Sequence, residues 1–177
     1  MDLTKQALSD IGPIETGIKF ETREKMETDL SKVLADTMVL MTKTQVYHWN
    51  VVGAIFKPLH ELTEEQYRDL FEAVDIIAER IRALGFTAPL SFKDLMHRTI
   101  LVEEVEVLTP QQMLQQLIRD HEIVVRQMRD IAEQAEKSND FVTHDLLVSR
   151  MAFHENAIWQ LRATLTDPVT FETPVSQ

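Results

Sequence analysis

Four long stretches of this chain carry apolar residues at three- and four-residue steps, and that period admits little other than helix. The first begins at about Thr22 with Met26, Leu30, Val33, Leu34, Met38 and Met41, and runs to about Asn50. The second holds Leu59, Leu62, Leu70, Phe71, Val74, Ile77, Ile81 and Leu84, with Gly85 placed to cap its end. Thr109-Pro110-Gln111-Gln112 reads as the start of the third: an N-cap threonine, a proline in the first turn and a glutamine completing a capping box. Behind it run Leu114, Leu117, Ile118, Val124, Val125, Met128 and Ile131. The fourth carries Leu146, Phe153, Ala157, Leu161 and Leu165 and stops before Pro168.

The connections complete the architecture. Gly53 and Pro58 mark a short link, and Lys137-Ser138-Asn139-Asp140 marks another. Residues 86–108 form the longest irregular stretch, with Pro89 and a short helix expected around Ser91–Arg98. Four helices with two short links and one long crossover describe an all-α four-helix bundle with a short extra helix between helices two and three. The expected organisation is an arm over 1–21, the bundle over 22–166 and a tail over 167–177.

Composition narrows the chemistry. The absence of cysteine excludes a disulfide scaffold, a thiolate zinc site, an iron–sulfur cluster and a cysteine nucleophile. No apolar run approaches the roughly 20 residues of a membrane span, and MDLTKQALSD lacks the pattern of a signal peptide, so the expected address is the cytoplasm. The net charge of −11 repels nucleic-acid phosphates and attracts cations.

Six histidines are the first candidates for holding such cations. His97, His121, His144 and His154 stand singly; a packed core histidine is the plainer reading for His121, and a helix-surface or interhelix polar group for His144 and His154. His48 and His60 differ, because they flank the Gly53–Pro58 bend and antiparallel helices bring such ends to one level. Asp75 and Glu79 lie four residues apart in the otherwise apolar VDIIAERI, about 6 Å apart along one helix face. They suit a shared metal ion, although a solvated edge with surface ion pairs is the simpler alternative. On a continuous helix His60 and Asp75 are roughly 22 Å apart, too far to share an ion within one chain. A joint site needs a second, antiparallel copy, and a two-fold dimer makes two equivalent sites. Mixed imidazole and carboxylate ligands suit iron(II) or zinc(II). The Glu-x-x-His pattern of ordinary di-iron bundles is missing from the chain, which argues against a site of that type inside one bundle.

The same segment, YHWNVVGAIFKPLHELTEEQYRDLFEAVDIIAERIRALG, resembles the Dps family, the miniferritins that protect bacterial cells from iron and peroxide. The matching residues are His48-Trp49-Asn50-Val51, Gly53, Phe56, Leu59-His60, Tyr67, Asp75 and Ala78-Glu79-Arg80-Ile81, closed by Leu84-Gly85. The resemblance implies a ferritin-like bundle assembled as a homo-oligomeric, hollow, twelve-chain shell. It implies a ferroxidase using hydrogen peroxide as preferred oxidant, with iron, two ions per inter-subunit site, and ferric mineral stored inside. Carried over, His48 and His60 would come from one chain and Asp75 and Glu79 from its mate. Glu64 matches a further carboxylate near the second iron. Trp49 matches an aromatic residue that passes electrons or quenches radicals beside the site, with interface packing as the alternative role. Asp140 and Asp145 are the candidates for an acidic pore lining, though acids at a helix start also simply favour its dipole.

One departure from the family bears on partners. Some members bind DNA through a lysine-rich arm, but residues 1–20 carry only Lys5 and Lys19 against Asp2, Asp10 and Glu15, and 166–177 carry no basic residue. DNA binding is therefore not expected at neutral pH and physiological salt. A DNA-coating protein with little ferroxidase activity, or a helical interaction module, remains the alternative to the enzyme.

Overall fold

The computed structural model describes residues 14–166 apart from Glu104. Among these residues there are five helices and no strand: α1 Phe20–Asn50, α2 Phe56–Ala83, α3 Phe92–Arg98, α4 Pro110–Lys137 and α5 Phe141–Leu165. Most of the expected arm and tail lies outside the described residues.

Helix α1 starts two residues before the expected Thr22, and tertiary contact is the reason. The Phe20 ring lies 5.8 Å from that of Phe86, and the Arg23 guanidinium donates to the Leu84 carbonyl at 2.7 Å. The far end of the α1–α2 hairpin thus secures the first turn of α1. Gly85 follows α2 with φ at +93°, a left-handed conformation that glycine adopts without cost, and its N–H donates to the Arg82 carbonyl at 2.9 Å. The capping box at Thr109 and Gln112 forms as the sequence predicts. Between α4 and α5, Asn139 takes a positive φ of 58° and Asp140 caps α5 by accepting from the Thr143 N–H at 3.1 Å.

Helices α1 and α2 pack as one antiparallel pair, α4 and α5 as another, and α1 lies against α4. Their facing sides supply Leu30, Leu40, Leu70, Ile77, Leu114, Leu117, Met128 and Leu147, all fully buried. Each such side chain contributes about 1.5–3 kcal/mol of transfer free energy.

The crossover is held to α1 by polar contacts that the apolar pattern does not announce. Asp36 accepts from the Thr99 hydroxyl at 2.6 Å and from the Ile100 N–H at 2.9 Å. Lys43 donates to the Val102 carbonyl at 2.6 Å and pairs with Asp120 of α4 at 2.5 Å, with both side chains buried. Burial pushes the Asp120 carboxyl up, and the Lys43 ammonium offsets part of that rise. No described helix is long and apolar enough to cross a membrane.

Candidate metal centre

The bend between α1 and α2 sets the position of the two histidines. Val51 is buried and its N–H donates to the Tyr47 carbonyl; Gly53, with φ at +94°, turns the chain so that the Phe56 N–H reaches the Gly53 carbonyl at 3.0 Å. His48, in the last turn of α1, then faces His60, near the start of α2.

Their rings stack with centroids 3.7 Å apart and planes inclined by 14°. His48 Nδ1 lies 2.8 Å from the His60 carbonyl oxygen, and His60 Nδ1 lies 2.8 Å from the His48 carbonyl oxygen. A carbonyl only accepts, so both Nδ1 atoms must carry the proton and donate it. In a neutral imidazole so held, Nε2 is the nitrogen that carries the lone pair a metal binds. Thr63 donates to the same His60 carbonyl at 3.1 Å, and the Tyr67 ring meets His48 edge-on at 5.3 Å.

The carboxylates stand elsewhere. Asp75 and Glu79 are exposed on α2, in line with Phe71 one turn earlier, which is 67% exposed. Ile76 beside them is 49% exposed. The two candidate acids thus sit on a helix face that carries large uncovered apolar side chains. Trp49 is 63% exposed beside the histidine pair. Glu64 is half-buried and pairs with Arg68 at 2.5 Å. Among the described residues of one chain, no group of three or more His, Asp or Glu side chains is placed to hold a metal ion.

One expectation needs correction. Asp140 is only 1% exposed, and its carboxylate is consumed by Arg80 at 2.6 Å, by the Thr143 hydroxyl at 2.6 Å and by the cap of α5. It has no free charge to offer a pore, because the helix start and the salt bridge have taken it. Asp145, by contrast, is exposed.

The single histidines divide as well. His97 is exposed and His144 half-buried. His121 is packed in the core, as expected, and His154 is an interhelix group that is also fully buried. Their Nδ1 atoms meet at 2.8 Å between α4 and α5. Burial, with the Arg150 charge adding to it, pushes the His121 imidazole down to about 3; burial, the His121 ring and Arg150 hold His154 well below the usual range. Both are neutral core groups. Sequence reasoning missed their pairing, because two positions 33 residues apart on different helices show no common period.

The chain matches the ferritin-like domain family over residues 27–168. It is 35% identical over 136 residues to DNA protection during starvation protein 2 of Bacillus anthracis, covering 77% of this chain and 93% of that one. Among solved structures it is similar to DpsC from Streptomyces coelicolor, with a TM-score of 0.86, 29% identity, and 91% and 95% of the two chains covered. It is also similar to a Dps protein from Vibrio cholerae described as a ferritin-like diiron-carboxylate protein, with a TM-score of 0.80, 30% identity, and 84% and 94% covered.

Proposed function

The chain belongs to the Dps family of ferritin-like proteins, and on that premise we propose that it is a ferroxidase and iron-storing miniferritin. Iron(II) is its substrate and hydrogen peroxide its preferred oxidant. The reaction takes place at sites shared by two copies, in a twelve-chain shell that stores the ferric product. The protein protects the cytoplasm by removing iron(II) and peroxide together.

The observation that carries this reading is the reciprocal clamp on His48 and His60. Two imidazoles held at Nδ1 by each other's main chain leave Nε2 of each as the nitrogen that can meet a cation. The resemblance to a diiron-carboxylate protein supplies the metal, and the exposed Asp75 and Glu79 supply the carboxylates from the second copy. The apolar exposure of Phe71 and Ile76 supports a partner covering that face.

Two iron(II) ions held together deliver two electrons to one hydrogen peroxide, breaking the O–O bond to give two iron(III) ions and two hydroxide ions. Pairing the electrons avoids the single-electron step that releases hydroxyl radical. The anionic carboxylates favour iron(III) over iron(II) because the attraction grows with the cation's charge. The net charge of −11 per chain raises the local cation concentration around the assembly.

The test is anaerobic. Purified assembly is loaded with iron(II), peroxide is added, and ferric absorbance is followed together with hydroxyl-radical trapping. Rapid formation of a soluble iron-filled particle with suppressed radical is the expected result. Oxidation no faster than in buffer, with iron precipitating, would overturn the reading.

A further inference from the structure

The contacts between α2 and α5 fix a register that brings Gln66 to the level of the buried histidine pair. Arg80 meets Asp140 and Thr143 at 2.6 and 2.9 Å, and Asp69 meets Arg150 at 2.7 Å. Moving back along α2 therefore moves forward along α5, as between antiparallel neighbours. One turn further in that direction stand Gln66, three residues before Asp69, and His154, four after Arg150. Gln66 is only 2% exposed, on the side of α2 that carries Thr63, Leu70 and Ile77. His121 of α4 completes the level through its 2.8 Å Nδ1–Nδ1 contact with His154. Four buried atoms here have no hydrogen-bond partner among the described residues: Oε1 and Nε2 of Gln66, and Nε2 of each histidine.

Their chemistry specifies what can satisfy them. A 2.8 Å contact between two neutral imidazoles needs one Nδ1–H and one Nδ1 lone pair. The ring that donates keeps a lone pair at Nε2, and the ring that accepts carries its proton at Nε2. With the Gln66 amide, the four atoms amount to two donors and two acceptors. A cation cannot use that set. It needs lone pairs on both Nε2 atoms, which would leave two Nδ1–H groups facing each other at 2.8 Å. Nor does it fit between the Nδ1 atoms, because two imidazoles on one tetrahedral zinc-sized ion stand about 3.3 Å apart. The neighbouring Arg150 charge opposes a cation as well. The His48–His60 pair differs in kind, since both of its Nδ1 protons go to carbonyls.

We propose that Gln66, His121 and His154 enclose a binding site for one small, neutral, hydroxylic molecule. Such a molecule donates to the Nε2 lone pair and the Gln66 carbonyl, and accepts from the other Nε2–H and the Gln66 amide. Water and hydrogen peroxide share that chemistry, and neither brings a charge into the core. The site lies inside a single chain, so it stands independently of the metal centre at the α1–α2 bend.

Crystals of the metal-free full chain test it. Density for one oxygen about 2.7–3.2 Å from both Nε2 atoms and from the Gln66 amide is the expected result. A hydrogen peroxide soak distinguishes the two sources: elongated two-atom density identifies peroxide, and unchanged single-atom density identifies water. The density should be lost in Gln66→Leu, and the wild-type crystals decide the matter even if that variant does not fold. Nitrogen-15 spectra should show His121 and His154 as opposite tautomers. An empty site with and without peroxide, Gln66 bonded directly to either imidazole, or matching tautomers would each overturn the proposal. So would an anomalous scattering peak between these residues after a cobalt(II) soak.

Discussion

His48 and His60 each donate Nδ1–H to the other's main-chain carbonyl at 2.8 Å, so two imidazoles and the backbone that carries them form a closed hydrogen-bonded unit. The unit depends on the length of the α1–α2 bend as much as on the imidazoles. It also determines which ring nitrogen faces outward before any cation arrives.

Glu79→Ala should abolish fast iron oxidation while leaving the assembly intact, because Glu79 is exposed on the surface of α2 and outside the packed core. His60→Ala should also abolish it, and should in addition free the His48 ring by removing its stacking partner. Ferric absorbance after peroxide addition, with size-exclusion chromatography as the control, checks both. Wild-type rates in Glu79→Ala would show that the ligand assignment is wrong.

Stability should fall in mild acid because of the His121–His154 pair. Burial holds the folded-state values below the ordinary 6.5, to about 3 for His121, so the neutral forms favour the folded state. That contribution is complete above about pH 6.5 and is lost as pH falls toward the folded values, by about 1.4 kcal/mol per pH unit for each histidine. Other histidines also gain protons between pH 6.5 and 5, so the comparison with a variant lacking both imidazoles is what isolates the pair. Urea unfolding across that range should show the slope in wild type and a flatter profile in His121→Leu/His154→Leu.

Lys43→Met should destabilise the chain by about 3–5 kcal/mol, because it leaves the Asp120 carboxylate buried without its partner. Lys43→Met/Asp120→Leu should recover most of that loss, since removing both charges also removes their desolvation cost. Denaturant midpoints of the two variants decide the point. Equal losses in both would mean that packing under the crossover, and not the charge pair, is what matters.

Plasmid DNA should show no mobility shift with the protein at neutral pH and about 0.15 M salt. Residues 1–20 hold two lysines against three acids, and 166–177 hold two acids and no base, so neither segment carries the concentrated positive charge that counterion release needs. A retained complex under those conditions would favour a DNA-coating protein over the ferroxidase.

Much of the bundle was legible because its helices obey local rules. The apolar period, the capping box at Thr109 and Gln112, and Gly85 past α2 all act within one or two turns, and the structure keeps each of them. The approach of the two histidines was legible for a related reason. His48 and His60 flank a short bend, and a bend of that length leaves antiparallel helix ends few ways to meet.

What tertiary structure alone decided concerns pairs distant in sequence. Phe86 and Leu84 start α1 at Phe20 by contacts that no local pattern contains. Asp140 read either as a pore acid or as an acid favouring its own helix start; it caps α5, and Arg80, 60 residues away, takes its charge. Lys43 with Asp120, and His121 with His154, are polar groups in the core that only the register between helices brings together. The division has a physical basis. Helix formation and capping are short-range and follow from residue type and spacing, whereas the partner of a buried polar group is set by how whole helices align.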